Sequence, residues 1–421
     1  MLNYFAYVDS KWKISENFDF GVAVSNTVFD ENDSTWKISV SDGRTLVARW
    51  LVLGVGLASK ISIPNIQGLD SFQGSVLHTG EWPESDYDLG NKRVAVIGTG
   101  ASAVQVIQEI TPRVASLTVY QRRPAVVLPR SSQISEDAGP FSLTSDERTL
   151  FIARALSTRT GLGYDLLNST GIPPGHPQRR VYNDYLYNKG QWHFICSNFA
   201  DLWYDESANK DVYSFWVEQN RSKIDDPVKR DLLVPIEPKG HFGIQRPCLA
   251  DNYLELFNLP HVGVVDTTQD PLREVTETGI YSGDMHREYD LIIFATGFQP
   301  LESQILSLNI SGRNGQKLET AWKASSSSFL GMAVPGFPNM FYLNGPEAPN
   351  TRTNAPTVIE RQSQWIVSTI RYLHNSGIQS CEATDAAAWE WRQEIEKQWQ
   401  ASLFPSTPHM PTPTRTPDAT W

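Results

Sequence analysis

The chain has 421 residues, a formal net charge of -11, 40% hydrophobic residues and 13 tryptophans, a size and composition suited to two or three globular cores. Its acidic balance and lack of any Lys/Arg run exclude a nucleic-acid surface, which needs clustered cations to neutralise phosphates. No apolar run reaches the roughly eighteen residues of a membrane span, the opening MLNYFAYVDSKWK lacks the regions of a signal peptide, and Cys196, Cys248 and Cys381 are too few and scattered for a disulfide framework or a metal site, so a soluble, cytoplasmic protein is expected.

The first predicted elements form a β-meander. In STWKISVSDGRTLVARWLVLGVGLAS, Trp36, Ile38 and Val40 alternate, Asp42-Gly43 supplies a turn, and the apolar run from Trp50 to Val55 reads as a buried strand ending at Gly56. The linker FQGSVLHTGEWP then leads into KRVAVIGTGASAVQVIQEI, where a buried strand, Arg93 to Ile97, meets a glycine turn and a helix. Gly98 permits the tight turn, Gly100 lets the backbone approach a pyrophosphate and Ala103 lets helix and strand pack, with Thr99, Ala101 and Ser102 completing the G-x-G-x-x-A run. The helix N-terminus offers free N–H groups and a positive dipole end to phosphate. A tight turn without ligand is the plain alternative.

At the end of the next strand, LTVYQRR, an NAD site would carry an acidic residue for the ribose diol. Arg122 and Arg123 stand there instead, and a guanidinium pairs well with a 2'-phosphate, so NADPH is expected over NADH. The alternative is an exposed basic turn. From Pro124 to about Ile236 the pattern changes to polar and aromatic segments that read as amphipathic helices of an inserted lobe.

Further on, DPLREVTETGIYSGDMHREYDLIIFATGFQP repeats the meander, with turns at Gly279 and Gly283-Asp284 and an exit strand from Leu291 to Ala295 before Gly297. PTVIERQSQWIVSTIRYLHN reads as a helix with Pro356 in its first turn and Asn354 as N-cap, and a second helix spans Asp385 to Ser402. The Pro/Thr-rich tail PSTPHMPTPTRTPDATW is expected to be disordered. Two strand-and-glycine endings with a single glycine-turn opening predict an α/β fold of two dinucleotide-binding, Rossmann-like domains, the first N-terminally truncated, with an inserted helical lobe. The expected boundaries are 1–83 with 300–403 for the partial first domain, 84–135 with 233–299 for the second, 136–232 for the insertion and 404–421 for the tail.

Alone, His78 in the linker reads as a satisfied structural histidine. The spacing F-x-G-x-x-x-H-x-x-x-W-P of Phe72, Gly74, His78, Trp82 and Pro83, however, resembles the fingerprint of the Baeyer-Villiger monooxygenases, which are class B flavoprotein monooxygenases. The resemblance runs in matching order from about Leu2 to Asn375, through HFGIQRPCLADNYLELFN, ATGF and GFPNMFYLNGPEAPNTRTNAPTVIE, and the closing segment is similar to fungal natural-product tailoring members. It implies FAD in the first domain, NADPH in the second, and uptake of O2 with insertion of oxygen beside the ketone of a hydrophobic metabolite, giving an ester or lactone.

By the same resemblance, Arg246 in GIQRP is the active-site arginine, its permanent charge suited to the negative charge of activated oxygen and of the carbonyl adduct. His78 and Trp82 would couple domain movement to turnover. Gln245 occupies a position that is often lysine in the family and reaches the 2'-phosphate there, which leaves more of that task to Arg122 and Arg123. Val24, Leu57 and the helix start at Ala355 fall where family members meet FAD. The family's leading G-x-G-x-x-G unit, its ribose-binding acid and the acidic partner of the arginine have no counterpart in this sequence. An inactive or repurposed member, binding NADPH or a metabolite without redox chemistry, therefore stays open as a second expectation.

Overall fold

The computed structural model describes residues 2–130, 144–158, 160–164, 166–167, 172–323, 326–348 and 353–407. The chain opens with helix α1 (Leu2–Trp12), the strands β1 (Val24–Asp30), β2 (Thr35–Val40) and β3 (Thr45–Ala48), and the exit strand β4 (Leu51–Leu53). The meander turns where the sequence predicts: Gly43 takes φ 88°, and the Arg44 N–H donates to Asp42 Oδ1 at 3.0 Å. Next come β5 (Ser75–His78), β6 (Arg93–Ile97), α2 (Ala101–Ile110), β7 (Ser116–Gln121) and β8 (Val127–Leu128). The lobe follows as α3 (Ser145–Ser157), α4 (Pro177–Lys189), α5 (His193–Cys196), α6 (Glu206–Arg221) and α7 (Pro227–Leu233). Strands β9 (Cys248–Leu249), β10 (Val262–Asp266), β11 (Leu272–Val275), β12 (Gly279–Ser282), β13 (Met285–Glu288) and β14 (Leu291–Phe294) return to the sheet region. The last elements are α8 (Leu301–Leu306), β15 (Ile310–Ser311), α9 (Leu318–Ala321), β16 (Met340–Tyr342), α10 (Ala355–Asn375) and α11 (Asp385–Gln400).

A five-stranded sheet in the order β10-β7-β6-β14-β5 is parallel at every pairing, and its central strands β6 and β14 are almost wholly buried. Their unbroken apolar runs, RVAVI and LIIF, suit a sheet covered on both faces. One face is covered by α2, whose buried Ala103, Val104, Ile107 and Ile110 form a stripe at helical spacing, together with the aromatic core of the lobe. The other face packs against Phe72 and the β11-β12-β13 meander through Val275, Ile280 and Tyr289. The first unit is assembled from distant segments: β15 runs parallel to β1 and β16 parallel to β4, around a core of Phe29, Trp36, Leu53, Phe337 and Tyr342.

Three sequence expectations are corrected here. Residues 75–78 were assigned with the first unit, but β5 pairs in parallel with β14 as the edge strand of the five-stranded sheet, because its Ser75-to-His78 backbone is in register with Leu291-to-Phe294. The tail was expected to be disordered from residue 404, yet the Leu403 N–H donates to the Trp203 carbonyl at 3.0 Å, Phe404 packs on the lobe core and Thr407 is buried. Aromatic anchoring beside Trp203 outweighs the Pro/Thr composition up to that point; residues 408–421 lie outside the described residues. Asn354 does precede α10, but its side chain donates to the Gly161 carbonyl at 3.2 Å and to Thr357 Oγ1 at 2.9 Å instead of accepting from the helix. The lobe expected over 136–232 contains α3 to α7, with 131–143 outside the described residues.

Candidate active site

The path of the chain across the five-stranded sheet reverses at β6: β7 and β10 follow on one side, and β14 returns on the other. Open α/β sheets bind ligands in the crevice at such a switch point, outside the carboxyl ends of the strands. Gly98 sits there with φ 115°, its N–H donating to the Tyr120 carbonyl at 3.0 Å, and a Cβ on it would stand 2.5 Å from the Ala295 carbonyl oxygen. No residue with a side chain fits. Around Gly100, by contrast, nothing lies within 4 Å of where a Cβ would be, and α2 begins there without a capping side chain. Exposed Ala101 and Ser102 therefore leave an open face of unfilled N–H groups, while buried Ala103 lets helix and sheet meet closely. This cradle fits the pyrophosphate of a dinucleotide.

Thr99 Oγ1 donates to the Arg123 carbonyl at 2.6 Å, fastening the turn to the end of β7. Arg122 and Arg123 are both half-buried. Burial, with the neighbouring charge of Arg122, lowers the pKa of Arg123, a strain that a bound anion relieves. Arg123 lines a cavity together with Tyr213, Trp216, Lys239, His241 and Gln245. The structure brings Gln245 and Arg123 to one cavity, and it adds Lys239, whose Nζ lies 2.7 Å from the buried carboxylate of Asp266. Thr407 closes one wall, with His241 Nδ1 and Thr407 Oγ1 2.9 Å apart. Lys239 and His241 escaped sequence reasoning. The run PKGH just ahead of GIQRP, with two cationic residue types and a glycine, is the signal that would have found them.

Arg246 faces a different cavity, lined also by Leu162, Trp192, Ile195, Cys196 and Trp203. Its guanidinium carbon lies 4.6 Å from the centre of the Trp192 ring, a cation–π contact. Gly243 lines both cavities and takes φ 75°, with Trp203 only 3.1 Å from its missing Cβ, so the backbone passes tightly between them. The β8–β9 pairing, Val127 with Cys248 and Leu128 with Leu249, then fixes the segment to β8, which follows Arg122 and Arg123 in the chain.

The linker fingerprint is a junction between units. His78 ends β5 and is buried; its Nδ1 accepts the Gly80 N–H at 2.9 Å, so the neutral ring carries its proton on Nε2. Burial lowers its pKa, opposed in part by the Gly297 carbonyl. That same carbonyl accepts the Ser62 N–H at 2.9 Å from the first unit's linker, and Thr296 Oγ1 donates back to the Ser62 carbonyl. Phe298 packs edge-on to His78 with ring centres 5.9 Å apart, and a Cβ on Gly80 would lie 2.6 Å from the Phe298 ring. Gly74 is needed because its Cβ would lie 2.5 Å from the Phe72 ring. Trp82 is 37% exposed.

On the first unit, Val24 and Leu57 are 36% and 51% exposed, and nothing lies within 4 Å of a Cβ placed on Gly54 or Gly56. Helix α10 starts at Ala355 with no side-chain cap, its first turn held to Thr160 and Gly161. The Asn344 N–H donates to Gln362 Oε1 of α10 at 2.7 Å, while Asn344 Oδ1 and Glu347 Oε1 are buried without hydrogen-bond partners. Burial raises the Glu347 pKa. The partnerless buried oxygens of Asn344 and Glu347, the uncapped helix start at Ala355 and exposed Val24 and Leu57 are groups of the chemistry that a flavin's polar edge and apolar ring require; the strand–glycine–helix cradle occurs among the described residues at Gly98.

A family model described as L-lysine 6-monooxygenase/L-ornithine 5-monooxygenase matches residues 3–160. FAD-binding monooxygenase lolF2 of Epichloe uncinata is 37% identical over 404 residues, covering 96% of this chain and 75% of the relative. Cyclopentanone 1,2-monooxygenase of Comamonas sp. is 32% identical over 405 residues, covering 96% and 74%. Among solved structures, cyclohexanone monooxygenase from Rhodococcus sp. Phi1 bound to NADP+ superposes with a TM-score of 0.89 at 31% identity, over 96% of this chain and 75% of that one. The OTEMO complex with FAD and NADP gives a TM-score of 0.90 at 30% identity, over 96% and 75%.

Proposed function

The chain belongs to the class B flavoprotein monooxygenases, FAD- and NADPH-dependent oxidoreductases of Baeyer-Villiger type, and from that premise we propose that it inserts one oxygen atom of O2 beside the carbonyl of a hydrophobic ketone, giving an ester or lactone. The observation that carries this reading is the placement of two consecutive residues: Gln245 in the cavity of Arg123 and Lys239, and Arg246 in the apolar cavity next to it. A nucleotide phosphate and an organic substrate are thereby handled on either side of one peptide. A relative that acts on cyclopentanone supports a ketone as substrate.

In this reading the Gly98–Ala103 turn carries the pyrophosphate of NADPH, and Arg122, Arg123, Lys239 and Gln245 surround its 2'-phosphate. Val24, Leu57, Asn344 and the start of α10 at Ala355 meet FAD, which when bound supplies reduced-flavin activation of O2. Arg246 places its guanidinium where anionic oxygen develops on the attacked carbonyl. The apolar side chains of Leu162, Ile195 and Trp203 line the cavity that exposed Arg246 faces, so an apolar ketone is received beside the charge. His78 packs the β5 end on Phe298 of the Gly297 loop, and that loop is bonded to Ser62 of the first unit's linker, so movement of one unit reaches the other through Ser62, with Trp82 at the rim.

The test is an Arg246→Ala variant assayed with cyclopentanone and larger cyclic ketones. It is expected to bind NADP+ with unchanged affinity and to consume NADPH while losing ester formation by two or more orders of magnitude, within the range for removing one stabilising charge. Ester formation at the wild-type rate would refute the role of Arg246.

A further inference from the structure

We infer that Trp192 is the positioning residue for Arg246: its indole face holds the guanidinium at the mouth of the lobe cavity. The inference rests on the reading of Arg246 given above. Arginine has a long stem with many rotamers, so a cation that must meet charge at one point needs something to hold it. Among the described residues Arg246 makes no ion pair and no side-chain hydrogen bond, and its close charged-group contact is the Trp192 ring at 4.6 Å. Tryptophan offers the strongest ring quadrupole for a cation. A contact of this kind leaves the N–H groups of the guanidinium free to meet an anion, which an ion pair with a carboxylate would occupy.

Trp192 is itself held by a built turn. Gly190 takes φ 73° and Gln191, a residue with a side chain, takes φ 53°, a left-handed conformation that costs energy outside glycine. The Gln191 N–H donates to the Pro129 carbonyl at 2.8 Å and its Oε1 accepts from Tyr164 OH at 2.8 Å, locking the turn to the end of β8 and to the lobe. The Trp192 carbonyl then accepts the Cys196 N–H at 2.7 Å, starting α5. Two successive left-handed residues reverse the chain after α4 and bring the indole to the strand end beside which GIQRP passes. The strain is placed one residue before the ring that meets the cation.

The experiment compares Trp192→Leu, which removes the aromatic face, with Trp192→Phe, which keeps one. Three quantities are read: the Arg246 side-chain Nε–H resonance in protein free of cofactors, identified by its loss in Arg246→Lys; NADP+ affinity; and ester formed per NADPH consumed in the FAD-loaded enzyme with cyclopentanone. Trp192→Leu should move the resonance out of the ring-current field, leave NADP+ affinity unchanged and lower ester per NADPH by about fivefold, the scale of one cation–π contact. Trp192→Phe should restore most of the signal and the yield. A resonance that does not move, a yield that does not fall, a loss that Phe does not rescue, or a parallel loss of NADP+ binding would each overturn the inference. Full ester formation by Arg246→Ala would instead remove its premise.

Discussion

The hydroxyl of Thr99 donates to the backbone carbonyl of Arg123 across 2.6 Å, so the glycine turn and the basic end of the next strand form one rigid piece. In the function proposed above, the pyrophosphate cradle and the 2'-phosphate cations are thereby set at a fixed separation. Cofactor preference should depend on that piece as a whole.

Replacing Arg123 by alanine should weaken NADP+ binding by roughly 10- to 100-fold, since a hydrogen bond to a charged group contributes about 1.5–3 kcal/mol. NAD+ binding should change little. Titration of both nucleotides into the variant checks this, and equal losses for the two would show that Arg123 does not read the 2'-phosphate. Thr99→Val should weaken NADP+ more than NAD+, by a smaller factor than Arg123→Ala.

Gly98→Ala should lower stability by more than about 1 kcal/mol, because alanine at a positive φ is strained and the new methyl would stand 2.5 Å from the Ala295 carbonyl oxygen. Gly100→Ala has open space around it and should leave the denaturation midpoint near that of the wild type while weakening nucleotide binding. Denaturant unfolding of the two variants separates a conformational requirement from a ligand requirement.

His78→Ala removes the acceptor of the Gly80 N–H and the ring packed against Phe298. A loss of about 1–3 kcal/mol is expected in chemical denaturation. Trp82→Ala, on the partly open rim, should stay within about 0.5 kcal/mol of the wild type. If the two variants were equally destabilised, the fingerprint would act as one packed unit and not as a buried hinge with an exposed edge.

The pKa of His193 is lowered from 6.5 to about 4 by burial, assisted by the positive charges of Lys189 and Arg154. Above pH 6.5 the ring is neutral in both folded and unfolded chains and has no effect on their balance. As pH falls from 6.5 toward about 4 the unfolded chain takes up the proton first, so stability is lost across that window. Thermal midpoints of wild type and His193→Gln between pH 7 and 4.5 should converge at the top of the range, with the variant declining less steeply toward acid. Parallel curves would show that His193 is not the group responsible.

The glycine turn, both meanders, the exit strands and the helices α10 and α11 were legible because their signals are local. Alternation at Trp36, Ile38 and Val40 shows which face is buried, and G-x-G-x-x-A after an apolar strand has one compact geometry. Where a signal was local but its partner distant, the reading fell short. Asn354 looked like a helix cap until Gly161 and Thr357 claimed its amide, and residues 404–407 looked like part of a disordered tail until Trp203 and His241 held them.

The amino-acid order by itself determined the glycine turn at Gly98, the basic pair Arg122 and Arg123, and the presence of Arg246 in GIQRP, since each depends only on residues within a few positions of one another. Only the tertiary structure decided that Gln245 joins Arg123 and Lys239, that Arg246 turns instead to Trp192, and that Ser75–His78 enters the five-stranded sheet. Those pairings follow from the parallel β8–β9 contact and from the order of strands around β6. Backbone hydrogen bonds between segments more than a hundred residues apart place them, and no short-range pattern encodes which strand lies next to which.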